Sequence, residues 1–314
     1  MAVHDITFAS SNGRDTVHGW VFTPVADTIK GLVLLAHGFG EHSRRYLPLV
    51  NELLAHGYAV AMDDHVGHGT TAAANSSWGL SGSLTGDVFV EDEDRLRELA
   101  QGLVPGVPLL LFGHSWGSMI MRGYLAEHGA GVSGAVLCGT TGMLEGVDEA
   151  LAAAQVQAEQ RGVDAPSDAI GLVLGPFLRR YAEGTSPLAW ISDVPAVLAD
   201  YVADPYNLGE RPVSAGFTAA FCELYQRIDA PGWAGQVPAE TPVLLIAGDQ
   251  DPVGSYGSGV YQVANRLQDA GHPDVRTKLW GGVRHEVHNQ PEVRDEVFAA
   301  VVAFYDEAVA TKRA

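Results

Sequence analysis

Cysteine is scarce: only Cys138 and Cys222 occur in 314 residues. They stand far apart in apolar settings, which excludes the disulfide framework of a small secreted domain. Neither lies in a turn that would activate a thiolate, so both are expected to be reduced packing residues. Basic residues are also few, 19 Lys and Arg against 38 Asp and Glu, for a formal net charge of -19. Such a surface repels phosphate backbones and anionic lipid, which argues against nucleic acid and against a polybasic membrane anchor. No run approaches the ~20 consecutive apolar residues that span a bilayer, and Met1 to Thr7 carries no basic stretch leading into an apolar one. The expectation is a cytoplasmic protein without a membrane anchor.

The composition instead favours a large core, 46% hydrophobic with 37 Gly and 16 Pro. Near the N-terminus, "ITFAS" and "TVHGWVF" flank Ser11-Asn12-Gly13-Arg14. Asn-Gly supplies the positive φ angles of a tight hairpin turn, predicting an antiparallel opening pair. Short apolar runs follow, "GLVLLA", "YAVAMD", "PLLLF", "GAVLC" and, much later, "PVLLIA". They alternate with amphipathic stretches, the pattern of buried parallel strands covered by helices on both faces. Helices are predicted from Trp116 to Glu127, around Val260 to Leu267, and from about Glu292 to Val309. Asp92, Glu93 and Asp94 are read as a solvated, dipole-favoured helix start.

Between Gly142 and about Gly232 the alternation stops and the sequence turns Ala-rich and helical in pattern. That stretch is too long for a loop. The expected class is therefore α/β: a mostly parallel sheet formed by residues 1–141 and 233–314, with residues 142–232 inserted as a helical cap.

The chemistry centres on "PLLLFGHSWGS", where a strand runs into Gly113-His114-Ser115-Trp116-Gly117 and straight on into a helix. This is a GxSxG turn in strand-turn-helix context, with Ser115 as the candidate nucleophile. Its two glycines are needed because side chains there would strike neighbouring backbone. A serine hydroxyl is a poor nucleophile until a base takes its proton and a carboxylate holds that base in the right tautomer. After "PVLLIA" comes Gly248-Asp249-Gln250-Asp251-Pro252, a polar turn at a strand's C-terminal end that offers two candidate acids. After "VRTKLW" comes Gly281-Gly282-Val283-Arg284-His285-Glu286, which offers His285 as base, with His288 as its nearest rival. The order nucleophile, acid, histidine is the one this arrangement requires. An oxyanion site is expected from the backbone N–H groups of Phe39, in the turn His37-Gly38-Phe39-Gly40, and of Trp116.

Taken together, "HGFGEHSRRY", "DDHVGHG", "GHSWGS", "GDQDPV" and "RHEVHNQ" resemble the monoacylglycerol lipase and lysophospholipase family of α/β-hydrolases. The resemblance spans the whole catalytic portion, and its HGxGEHSxRY and DHxGHG segments are more discriminating than GxSxG. It implies Asp251, not Asp249, as the acid. It also places Glu41 and Arg45 around the polar head of a glycerol ester, although the two residues could equally form a structural ion pair. The cap is similar only loosely, in "ADPYNLGERPVSAGF".

Twelve histidines invite a metal reading. Zinc sites of the HExxH type need His at i and i+4 on one helix face; "HEVH" is one residue short and follows a strand. "HVGH" lies between glycines without an added carboxylate at ligand spacing. No metal or cofactor is expected, and His65 and His68 are read as bracing the loop beneath the oxyanion turn. The sequence thus predicts an ester hydrolase acting on monoacylglycerol or lysolipid through an acyl-serine, with transient contact between cap and lipid surface. A carboxylesterase of small esters or an acyltransferase would share the same triad. An aminopeptidase would need an anionic pocket for a free amine, and a non-catalytic binding protein would predict an eroded triad, whereas all positions are intact.

Overall fold

The computed structural model describes residues 1–26, 28–181 and 186–313. Among the described residues ten strands form: β1 (Ala2–Ala9), β2 (Thr16–Thr23), β3 (Gly31–Ala36), β4 (Tyr58–Asp64), β5 (Leu109–His114), β6 (Val132–Cys138), the short β7 (Pro166–Ser167) and β8 (Val213–Ser214), β9 (Val243–Gly248) and β10 (Val275–Trp280). Ten helices accompany them among the described residues. These are α1 (Leu47–Ala55), α2 (Gly69–Asn75), α3 (Asp87–Leu103), α4 (Trp116–His128), α5 (Val147–Arg161), α6 (Gly171–Leu174), α7 (Pro195–Ala203), α8 (Ala215–Asp229), α9 (Ser258–Asp269) and α10 (Arg294–Arg313).

Eight strands make one sheet in the order β1-β2-β4-β3-β5-β6-β9-β10. The first two junctions are antiparallel and the rest parallel. The apolar runs are buried along their whole length because each strand feeds two cores at once. Along β3, Leu32, Leu34 and Ala36 point to one core and Val33 and Leu35 to the other, as the two-residue period of a strand dictates. The first core is closed by α3, α4, α8 and α9 through Phe89, Ile120, Phe217 and Val263. The second is closed by α1 and α10 through Leu53, Val301 and Tyr305.

Three local expectations are corrected. The opening connection is not a two-residue turn: Ala9 pairs with Thr16, so residues 10–15 form the loop. Only Gly13 there takes a positive φ, of 69°. Asn12 acts through its side chain, whose Oδ1 accepts from the amides of Arg14 and Asp15. The acidic cluster is not a solvated helix start either. The helix begins at Asp87, and its second turn buries both Asp92 and Glu93. Asp92 accepts from the Ser10 hydroxyl and the Ser11 amide, each at 2.6 Å, and so ties the opening loop to α3. Finally, the segment between β6 and β9 adds no strand to the main sheet, but it is not purely helical, since β7 pairs with β8. Its last helix, α8, lies in the main core, where Phe217, Leu224 and Ile228 are buried. Residues 182–185 of the expected insertion lie outside the described residues.

Candidate active site

The turn between β5 and α4 is tight enough that a Cβ on Gly113 would lie 2.4 Å from the Gly117 carbonyl oxygen, and one on Gly117 would lie 2.3 Å from that of Ala36. Both glycines are therefore required by close backbone approach, as the sequence predicts. Ser115 between them is held at φ 54° and ψ −122°, a conformation that a non-glycine residue adopts only under constraint from its surroundings. Its amide is anchored to the Cys138 carbonyl at 2.8 Å. Ser115 lines a cavity of about 940 Å³.

His285 and Asp251 meet across the loops after β10 and β9. Nδ1 of His285 lies 2.9 Å from Oδ2 of Asp251, and both side chains are buried. Because a carboxylate can only accept, His285 donates from Nδ1, which leaves Nε2 with a lone pair. Burial disfavours the imidazolium, yet the charge of Asp251 and its hydrogen bond outweigh that cost, so the pKa of His285 is raised above the usual histidine value. The other oxygen of Asp251 is held by the Val253 amide at 2.8 Å. Asp249, the alternative acid, instead accepts from the Gly282 amide at 2.7 Å and braces the histidine loop. His288 turns away from Asp251, stacking on Tyr46 with ring centroids 4.7 Å apart. Ser115, His285, Phe39 and Trp116 all line the one cavity. Trp116 is the first residue of α4, where an amide has no intrahelical acceptor.

Glu41 and Arg45 are brought together as an ion pair. Arg45 Nη1 lies 2.5 Å from Glu41 Oε2 and 2.6 Å from Glu286 Oε1, and Nη2 reaches Glu286 Oε2 at 2.9 Å. All three side chains are at most 5% exposed. Glu41 and Glu286 line the cavity, with Arg45 behind them as their shared counter-ion. Glu41 also accepts from the Gly38 amide at 2.7 Å and from the Tyr46 hydroxyl at 2.5 Å. Although burial opposes ionisation, Arg45 keeps Glu41 well below the usual carboxylate range. The ion triad therefore ties the His37–Gly40 turn, through Gly38, to the residue following His285.

The histidines of "DDHVGHG" brace the same turn from below. His68 Nε2 accepts from the Gly40 amide at 3.0 Å, and burial lowers its pKa to about 4. His65 acts through His37: its amide donates to His37 Nε2 at 3.1 Å, and His37 Nδ1 donates to the Gly38 carbonyl at 2.8 Å. From above, the Tyr201 hydroxyl and the Leu208 amide both donate to the Gly40 carbonyl at 2.9 Å. Sequence reasoning missed Glu286, Tyr46 and Tyr201. The first two carried a signal in "RHEVHN" and "HSRRY", while Tyr201 lay in the insertion, where no pattern indicated contact. The cavity lining is otherwise largely apolar, with Leu174, Phe177, Leu178, Trp190 and Val202 among it. Trp190 packs on His285 at a centroid distance of 5.0 Å.

With this geometry in hand, comparison with known proteins is informative. Residues 27–292 match the family described as serine aminopeptidase, S33. The chain is 32% identical to a monoacylglycerol lipase of Mycolicibacterium smegmatis, over 95% of this chain and 96% of that one. The chain belongs to this family of serine hydrolases. Among solved structures it is similar to a highly thermostable carboxyl esterase from Bacillus coagulans in complex with glycerol, at 41% identity and a TM-score of 0.94 over 98% of this chain and 99% of that one. A lipase in an open form superimposes with a TM-score of 0.92 at 35% identity, covering 98% and 99% of the two chains. The sheet order and helical layers are accordingly those of the α/β-hydrolase fold, and the relatives mark the chain as an ester-cleaving enzyme. Among the described residues no helix is long and apolar enough to cross a membrane.

Proposed function

We propose that the protein hydrolyses monoacylglycerol-like or lysolipid-like esters through an acyl-enzyme on Ser115. The observation that carries this reading is the Asp251–His285 pair, with His285 and Ser115 lining a single cavity whose lining includes both buried carboxylates and many apolar side chains. In this account His285 Nε2 takes the Ser115 proton as the hydroxyl attacks the ester carbonyl. The developing oxyanion is received by the amides of Phe39 and Trp116. Collapse of the tetrahedral intermediate expels the alcohol, which takes the proton back from His285. Water then repeats the sequence on the acyl-serine and releases the acid.

The mixed lining of the cavity suits the ester's two halves. The acyl chain lies along Leu174, Phe177, Leu178 and Val202, and the hydroxyls of the alcohol meet Glu41 and Glu286. Both carboxylates are already paired with Arg45, so a substrate's free amine would have to compete with that guanidinium, which weighs against an aminopeptidase. Residues 142 to about 212 act as the cap, and α8 belongs with the catalytic body. Leu172 and Val202, 48% and 69% exposed on the cap, offer transient contact with a lipid surface.

Fatty-acid release from a chain-length series of 1-monoacylglycerols, set beside simple esters of unrelated alcohols, tests the reading. A preference for glycerol esters is expected. Turnover confined to the simple esters would leave the serine chemistry standing and overturn the substrate class in favour of a carboxylesterase, the reading that the similarity to a carboxyl esterase supports.

A further inference from the structure

Asp63, at the end of β4, His65 just after it, and Glu93 on α3 converge behind the oxyanion turn. Their side chains are 0%, 3% and 0% exposed. His65 Nδ1 lies 3.0 Å from Asp63 Oδ1 and 3.7 Å from Glu93 Oε1, and one ligating atom from each of the three residues falls within 4.8 Å of the others. None of the four carboxylate oxygens of Asp63 and Glu93 has a hydrogen-bond partner among the described residues.

Their immediate neighbours make the contrast plain. Asp64 accepts from the Ser43 amide and hydroxyl and from the Thr70 amide. Asp92 accepts from Ser10 and Ser11. Among the described residues, the buried carboxylate oxygens without any hydrogen-bond partner are those of the two residues that face His65. Two buried carboxylates without hydrogen-bond donors must be compensated by a proton or by a cation.

We infer that Asp63, His65 and Glu93 form a structural site for a first-row divalent cation of the zinc class. One imidazole nitrogen and two carboxylate oxygens suit such an ion. Ligand bonds of about 2.0 to 2.2 Å place neighbouring donor atoms roughly 3.0 to 3.5 Å apart, and the two edges through His65, at 3.0 and 3.7 Å, lie within a few tenths of an ångström of that spacing. Two carboxylates and a neutral imidazole also cancel the charge of the ion. The sequence spacing hid this set, because the second carboxylate arrives from α3. The ion would fix His65, which stacks on His37 at 4.0 Å and supports the oxyanion turn through it. This inference does not depend on which ester is the substrate.

Metal content and thermal stability test it on the intact chain. Protein purified without chelator or metal-affinity resin should carry about one equivalent of zinc or manganese by plasma mass spectrometry. After unfolding and refolding in chelator, the melting temperature should fall and be restored by stoichiometric Zn²⁺ or Mn²⁺. Glu93→Gln should lose that metal-dependent rise, while Asp92→Asn, which removes a carboxylate that already has donors, should keep it. Metal-free protein whose melting temperature ignores both ions would overturn the inference and leave a shared proton to neutralise the pair. A metal-dependent rise undiminished in Glu93→Gln would overturn it equally, by locating the ion elsewhere.

Discussion

Replacing Arg45 with methionine separates two views of the "EHSRR" segment. Methionine keeps much of the apolar stem but removes the charge that Glu41 and Glu286 share at 2.5 to 2.9 Å. Both carboxylates are then left buried, at 3% exposure each, without their cation. Breaking a buried pair in this way costs about 3 to 5 kcal/mol, which lowers the melting temperature of a chain this long by roughly 5 to 8 °C. Glu41 also holds the Gly38 amide, and Glu286 adjoins His285. Loosening them should therefore misplace the oxyanion turn and the base and lower kcat by roughly 10 to 100-fold. Differential scanning fluorimetry and steady-state kinetics on a short soluble ester read the two effects. If Arg45 served only to grip the substrate, KM would rise while the melting temperature and kcat stayed at wild-type values, and that result would refute the ion-triad reasoning.

Three further outcomes follow from the site. The general base must be neutral, and the pKa of His285 is raised by Asp251 over the opposing effect of burial, so kcat/KM should climb with pH through an inflection above the usual histidine value; Asp251→Asn should lower kcat by about 10⁴ and remove that upward displacement. His68 is held neutral, with its pKa lowered to about 4. The unfolded chain therefore takes up a proton there first, and the stability that this neutral brace contributes should be complete above about pH 6.5 and fall away as pH drops toward 4. Urea titrations of wild type and His68→Gln across that range should show the slope reduced in the variant. Gly117→Ala would drive a Cβ to within 2.3 Å of the Ala36 carbonyl oxygen, so the variant should lose hydrolysis and several degrees of melting temperature, and wild-type activity in it would contradict the close-approach argument.

What the sequence disclosed and what it hid divide along physical lines. Fully buried parallel strands leave unbroken apolar runs, and β3, β4, β5, β6 and β9 were legible for that reason. The GxSxG turn was legible because two backbone collisions enforce its glycines. Asp251, by contrast, could be separated from Asp249 only through a family resemblance, since a two-residue offset in a turn says nothing about which carboxylate faces the histidine. The partnership of Arg45 with Glu286 spans 241 positions, and no local periodicity records such a contact. The burial of Glu93 was hidden similarly: an acidic residue early in a helix resembles a dipole partner until the strand opposite it is placed. Within the insertion, side chains meet the cavity from short, irregular elements, so Tyr201 and Phe177 carried no pattern that pointed to the site.

Covalent trapping of the nucleophile bears most directly on the central claim. Incubation with a fluorophosphonate should add one phosphonyl group to the intact protein, and peptide mapping should place it on the segment containing Ser115. Ser115→Ala should take up no label and lose about 10⁴ to 10⁶-fold in kcat with an unchanged melting curve. Label recovered on any other residue, or ester turnover retained by the alanine variant, would contradict the account.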